Sequence, residues 1–150
     1  MDLFPGYCID TSALIDLGRT RYTREVFPSL WKEIEELVSK GELVAPREVL
    51  KELERQNDEL TRWAKKHRKM FVNLDPEQIK IVKEILRDFP GFVDEKKETE
   101  DADPFVIALA KARGSTVITS EKPADLAANP RAKPKIPNVC QHYQVKCVHP

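Results

Sequence analysis

Short apolar runs that turn directly into helical patterns govern what this chain can fold into. Residues 6–9, ending in YCI, read as a buried strand, and a short helix follows from about Ser12. LVA at 43–45 leads through Pro46, which suits a first helical turn, into a helix presenting Val49, Leu50 and Leu53 to the core. That helix runs on, with or without a break, through Trp63. STVIT at 115–119 follows the helix DPFVIALAKAR, which has Asp103 as N-cap, Pro104 at the first helical position and Gly114 after its end. Continuous apolar strands alternating with helices belong to a parallel sheet covered on both faces. The predicted class is α/β.

The remaining segments fit that alternation. EVFPSLWKEIEELVSKG carries Leu30, Trp31, Ile34, Leu37 and Val38 on one helical face and stops at Gly41. MFVNL at 70–74 is too short to divide between strand and apolar loop, whereas PEQIKIVKEILRDF at 76–89 is an amphipathic helix ended by Pro90 and Gly91. AANPRAKPKIPNV at 127–139 reads as a proline-rich loop and YQVKCV at 143–148 as a last strand. No repeat or low-complexity linker divides the 150 residues, so a single domain over 1–150 is expected.

Composition narrows the classes further. Hydrophobic residues at 41% and charged residues at 33% exclude a disordered chain. No apolar run approaches the ~18 residues of a membrane span, and MDLFPGY lacks a secretion signal's basic start and apolar stretch. A cytoplasmic protein without a membrane partner is the expectation. Three cysteines without a CxxC pair do not make a disulfide framework. The 25 basic and 25 acidic residues cancel, which excludes a polycation built to coat nucleic acid. Locally the charge is uneven: RWAKKHRK (62–69) has five Lys or Arg and no acid, and DEKKETEDAD (94–103) is mostly acidic.

Ligands of open α/β sheets gather beyond the carboxyl ends of the strands, and several acids fall at such places. Asp10 follows YCI directly. Glu48 and Glu52 lie four residues apart, on one face of the helix after LVAP. Asp103 opens a helix, and Glu121 follows STVIT. Each has a plainer role available: Asp10 and Asp103 as helix caps, Glu48 and Glu52 as solvated side chains, Glu121 as a turn residue. Taken together they are harder to explain that way, because unpaired acids at one sheet edge repel one another unless a cation joins them.

CIDTSALIDL, VAPREVLKELE, DADPFVIALAKARGSTVITSE and KIPNVC, in that order, resemble the successive blocks of the PIN-domain family, specifically its small stand-alone prokaryotic members related to toxin ribonucleases of toxin–antitoxin pairs. The resemblance implies a three-layer α/β/α sandwich with a mostly parallel central sheet of four or five strands. It also implies a metal-dependent endoribonuclease that uses Mg²⁺ or Mn²⁺ to hydrolyse RNA phosphodiesters. Carried over by position, the acids are Asp10, Glu52, Asp103 and Glu121, with Ser12 and Thr119 as hydroxyl neighbours. Glu121 departs from the commoner Asp. Toxin-type relatives imply a cognate antitoxin protein and a homodimer. Independently of the resemblance, an all-oxygen donor set suits Mg²⁺ or Mn²⁺ better than zinc.

RNA phosphates require cations outside the acids. Arg62, Lys65, Lys66, Arg68 and Lys69 are the first candidates, with Arg19, Arg21 and Arg24 in reserve and Trp63 available to stack on a base. Three other readings compete. The first is a non-catalytic PIN-like module that binds nucleic acid or protein. The second is an aspartyl phosphotransferase, although Ser12 stands where a second Asp is expected. The third is a zinc site from Cys140, His142, Cys147 and His149.

Overall fold

The apolar runs lie side by side. In the computed structural model, which describes residues 5–93 and 101–150, strands β1 (Tyr7–Ile9), β2 (Leu43–Pro46), β3 (Phe71–Val72), β4 (Thr116–Ile118) and β5 (Cys147–Val148) form one sheet in the order β3-β2-β1-β4-β5. Every pairing is parallel, with Cys8 opposite both Val44 and Val117, Ala45 opposite Phe71, and Val117 opposite Cys147. Seven α-helices among the described residues flank the sheet in a three-layer α/β/α sandwich: α1 (Thr11–Ile15), α2 (Pro28–Ser39), α3 (Arg47–Leu53), α4 (Glu59–Lys66), α5 (Pro76–Asp88), α6 (Asp103–Arg113) and α7 (Ile136–His142). None of them is long and apolar enough to cross a membrane.

Strand order reverses between β1, the middle strand of the sheet, and β4 beside it. Such a switch point leaves a crevice beyond the carboxyl ends of the two strands, because their following loops diverge. Entry to β1 depends on Gly6, whose φ is +85°. A Cβ there would lie 2.7 Å from the Glu42 carbonyl oxygen, so no side chain fits.

The core explains the helix faces. Val106, Ile107, Ala108, Leu109 and Ala110 of α6 are all buried, as expected of a helix enclosed by neighbours on most sides. Val49, Leu50 and Leu53 are buried as predicted, and the helix does break, at 54–58, before α4. Asp58 restarts it by accepting from the Thr61 N–H at 3.1 Å. Trp31 and Trp63 meet edge to face, with ring centroids 5.0 Å apart. Trp63 is only 1% exposed, so the expectation that it could stack on a base is corrected: its large apolar surface serves the core.

Three further expectations change. Pro46 is not in a helical turn; it pairs opposite Val72 as the end of β2 and precedes α3 with extended backbone, φ −70° and ψ 154°. The proline-rich stretch is not loop throughout, because α7 begins inside it at Ile136 and buries Ile136, Val139 and Cys140. Asp103 is the first residue of α6 and not its cap; Asp101 Oδ1 accepts from the Asp103 N–H at 3.1 Å. The DAD spacing offers two acids, and the earlier one is placed to bond back to the helix start. Of the acidic stretch 94–103, all but 101–103 lies outside the described residues.

Candidate functional site

Asp10 takes the plainer of its predicted roles, that of a helix cap, at the carboxyl end of a strand. It ends β1, donates its N–H to the Ile118 carbonyl at 3.0 Å, and caps α1 by accepting from the Ala13 N–H at Oδ1, 2.8 Å. Ser12 Oγ lies 3.0 and 2.8 Å from the two carboxyl oxygens, and Thr119 Oγ1 donates to Oδ2 at 2.6 Å. Burial pushes the Asp10 carboxyl up to about 6; the bonds from Thr119, Ala13 and Ser12 pull the other way, and the charge of Glu121 raises it further. Ser12 and Thr119 thus hold Asp10 as anticipated.

The other acids come from separate elements. Glu52, in α3, accepts from Thr11 Oγ1 at 2.6 Å, which ties it to the residue following Asp10. Asp103, at the start of α6, is half-buried, and its carboxyl is pushed up to about 8. Burial is the main cause, followed by the negative charges of Asp101, Glu121, Asp10 and Glu52. All four acids assigned from the sequence therefore share one electrostatic neighbourhood beyond the carboxyl ends of β1 and β4.

Glu121 is held differently. Its N–H donates to Thr119 Oγ1 at 3.1 Å, and its Oε1 accepts from the Ile136 N–H of α7 at 3.0 Å. Half of its carboxylate is thereby committed to the protein. Asp101, 8% exposed, joins the neighbourhood although sequence reasoning passed over it, as it did Thr11. The two adjacent hydroxyls after Asp10 were the available signal for Thr11. Ser120 adds a bond from its N–H to Ser12 Oγ at 3.1 Å, and its own hydroxyl donates to Asp16 at 3.0 Å.

A family model described as a domain of unknown function, DUF4411, matches residues 7–150 and so takes in every one of these acids. The chain belongs to the DUF4411 family. Among curated proteins nothing matches it.

Whether this DUF4411 site suits a cation can be judged from its own atoms. Among the described residues no group of three or more His, Cys, Asp or Glu side chains is arranged to hold a metal ion. The negative charges of Asp101, Glu121, Asp10 and Glu52 act on Asp103 without these side chains forming such a group. Glu48 Oε1, one helical turn before Glu52, is buried without a hydrogen-bond partner. A buried carboxylate oxygen without a donor is costly, and oxygen donors of this kind are those that hard divalent cations prefer.

The predicted cations are dispersed. Arg62, Lys65 and Lys66 project from α4, while Arg68 and Lys69 lie in the 3₁₀ turn before β3; all five are exposed. Arg19 is engaged with Asp58 through Nε at 2.5 Å and Nη2 at 3.0 Å, and Arg21 Nε lies 3.4 Å from Asp16. Of the four residues considered for zinc, Cys140 and Cys147 hydrogen-bond to each other. His142 instead packs edge-on against Phe89 at 5.0 Å and Tyr143 at 4.8 Å.

Proposed function

We propose that this DUF4411 chain is a metal-dependent ribonuclease of PIN type. The observation that carries the reading is that carboxylates from four elements or their flanking loops all act on Asp103 at the sheet's switch point. Asp10, Glu52 and Asp103 would hold Mg²⁺ or Mn²⁺, with Glu121 assisting through its uncommitted oxygen. When bound, such an ion polarises the phosphate and makes an attacking water more acidic. The chain's own part is to hold Asp10 through Ser12 and Thr119, to hold Glu52 through Thr11, and to keep like charges close enough to require the cation. The family resemblance extends the reading to a toxin restrained by a cognate inhibitor protein, with the chain as a homodimer.

A second reading, a PIN-like module that binds without cutting, is favoured by the bond between Glu121 and Ile136, which withdraws one oxygen from the site. Incubation of end-labelled RNA with Mn²⁺ or Mg²⁺, with and without EDTA, separates the two. The nuclease reading expects cleavage that EDTA abolishes and that Asp10→Asn lowers by about 100-fold or more. Metal-independent cleavage, or an Asp10→Asn variant as active as the wild type, refutes it. Uncut RNA that is nonetheless bound supports the module.

A further inference from the structure

We propose that a pocket at the β3 edge of the sheet, with Arg47 and Arg68 at its walls, seats one phosphate of a single-stranded RNA beyond the acid cluster. The substrate class rests on the ribonuclease reading; the pocket rests on its own geometry. It encloses about 190 Å³ and is lined by Arg47, Leu50, Arg68, Phe71 and Asn73. Arg47 opens α3, the helix that carries Glu48 and Glu52, and Asn73 follows the end of β3. Both therefore stand on the same rim of the sheet as the acids. Only β2 separates β3 from β1, so the pocket is two strand spacings, roughly 10 Å, from the strand that delivers Asp10. One extended RNA strand spans both places.

The chemistry matches a phosphate. Arg47 and Arg68 are exposed, and neither enters an ion pair among the described residues, unlike Arg19, Arg21 and Arg87. Paired guanidinium forks suit phosphate oxygens better than ammonium groups do. Leu50, 4% exposed, and Phe71, 8% exposed, supply an apolar floor, which strengthens charge contacts by excluding water. A polyanion approaching a cluster of acids is helped by a cationic hold on the same rim of the sheet, and this pocket supplies one. Arg62, Lys65, Lys66 and Lys69 do not line it, so the structure selects Arg68 from the basic run and adds Arg47.

The test uses full-length Asp10→Asn protein, so that RNA stays intact, and measures fluorescence anisotropy of a labelled single-stranded RNA oligonucleotide at several salt concentrations. Arg47→Ala/Arg68→Ala should weaken binding and reduce the slope of log affinity against log salt by about 0.7, the share of one phosphate on a single strand. Arg47→Lys/Arg68→Lys should keep the slope and lose affinity, while Lys32→Ala/Lys40→Ala, two exposed lysines in and just after α2, should leave the slope unchanged. An unaltered slope in the arginine double variant, an equal change in the lysine control, or no binding at any salt concentration overturns the pocket. Metal-dependent cleavage by the wild type, assayed separately, distinguishes the two ideas. Cleavage with an unaltered slope sinks the pocket alone; an altered slope without cleavage keeps the pocket and sinks the nuclease. Failure of both sinks both.

Discussion

A carboxyl that is 1% exposed, as Asp10 is, survives in an interior only if its oxygens are occupied. Thr119 is itself fully buried and provides the shortest of those contacts, 2.6 Å to Oδ2. Its hydroxyl also accepts from the Glu121 N–H, so it links two of the site acids. Replacing it by valine keeps the shape and removes the donor. Because that bond favours the ionised form, its loss should raise the Asp10 carboxyl above its present value of about 6. Thr119→Val should therefore cost more at pH 8, where Asp10 is charged, than at pH 5, by about 1.5 kcal/mol, the usual worth of a hydrogen bond to a charged group. Urea unfolding at the two pH values measures this. Equal losses at both would mean that Thr119 serves packing and the Glu121 N–H alone.

Among the elements, α4 rests on a side chain with two tasks. Asp58 caps it through the Thr61 N–H and also pairs with Arg19 from the π-helical segment Asp16–Arg21, thereby joining two segments. The bond from Arg19 holds the Asp58 carboxyl down at about 2. Since Asp58 is 37% exposed, solvent screens the pair, and the cap supplies most of its value. Asp58→Ala should cost about 1–2 kcal/mol, read as a lower urea midpoint, and Asp58→Asn, which keeps a cap, should recover most of it. Matching losses in both variants would transfer the weight to the ion pair. The cap was not evident in the sequence, which left open whether the helix breaks before Trp63. What could be read there were contrasts along the chain: apolar runs ending on Asp10, a helix ending on Gly114, and acids placed after strands. What could not be read depends on partners distant in sequence. The hold of Ile136 on Glu121 spans 15 residues and that of Thr11 on Glu52 spans 41, and neither leaves a local pattern. The start of α7 was obscured because Pro137, which is tolerated in a first helical turn, also signals a loop, as Pro130 and Pro134 just before it do.

Over the whole molecule, the clustered acids tie stability to pH and to cations. Asp10 and Asp103 have ordinary carboxyl values of 3.8 when exposed and about 6 and about 8 in the fold. Between those limits the native state binds protons that the unfolded chain has released. Their stabilising contribution is thus complete below about pH 4 and is lost as pH rises through 6 for Asp10 and 8 for Asp103, the reverse of an ordinary salt-bridged carboxylate. Each group can remove up to about 1.4 kcal/mol per pH unit in its interval, and mutual relaxation of the acids reduces the sum. Metal-free protein should therefore melt several degrees lower at pH 8 than at pH 5. Mn²⁺ or Mg²⁺ should reverse the fall at pH 8, where Asp10 is ionised and Asp103 about half so, and do little at pH 5, where protons occupy both. Asp103→Asn should flatten the pH dependence and remove the metal's effect together, because both arise from the same crowded charge. A metal-free melting temperature that stays level from pH 5 to 8 would show that the acids lie farther apart in solution than their shared influence on Asp103 implies. A metal response that survives Asp103→Asn would place the ion elsewhere.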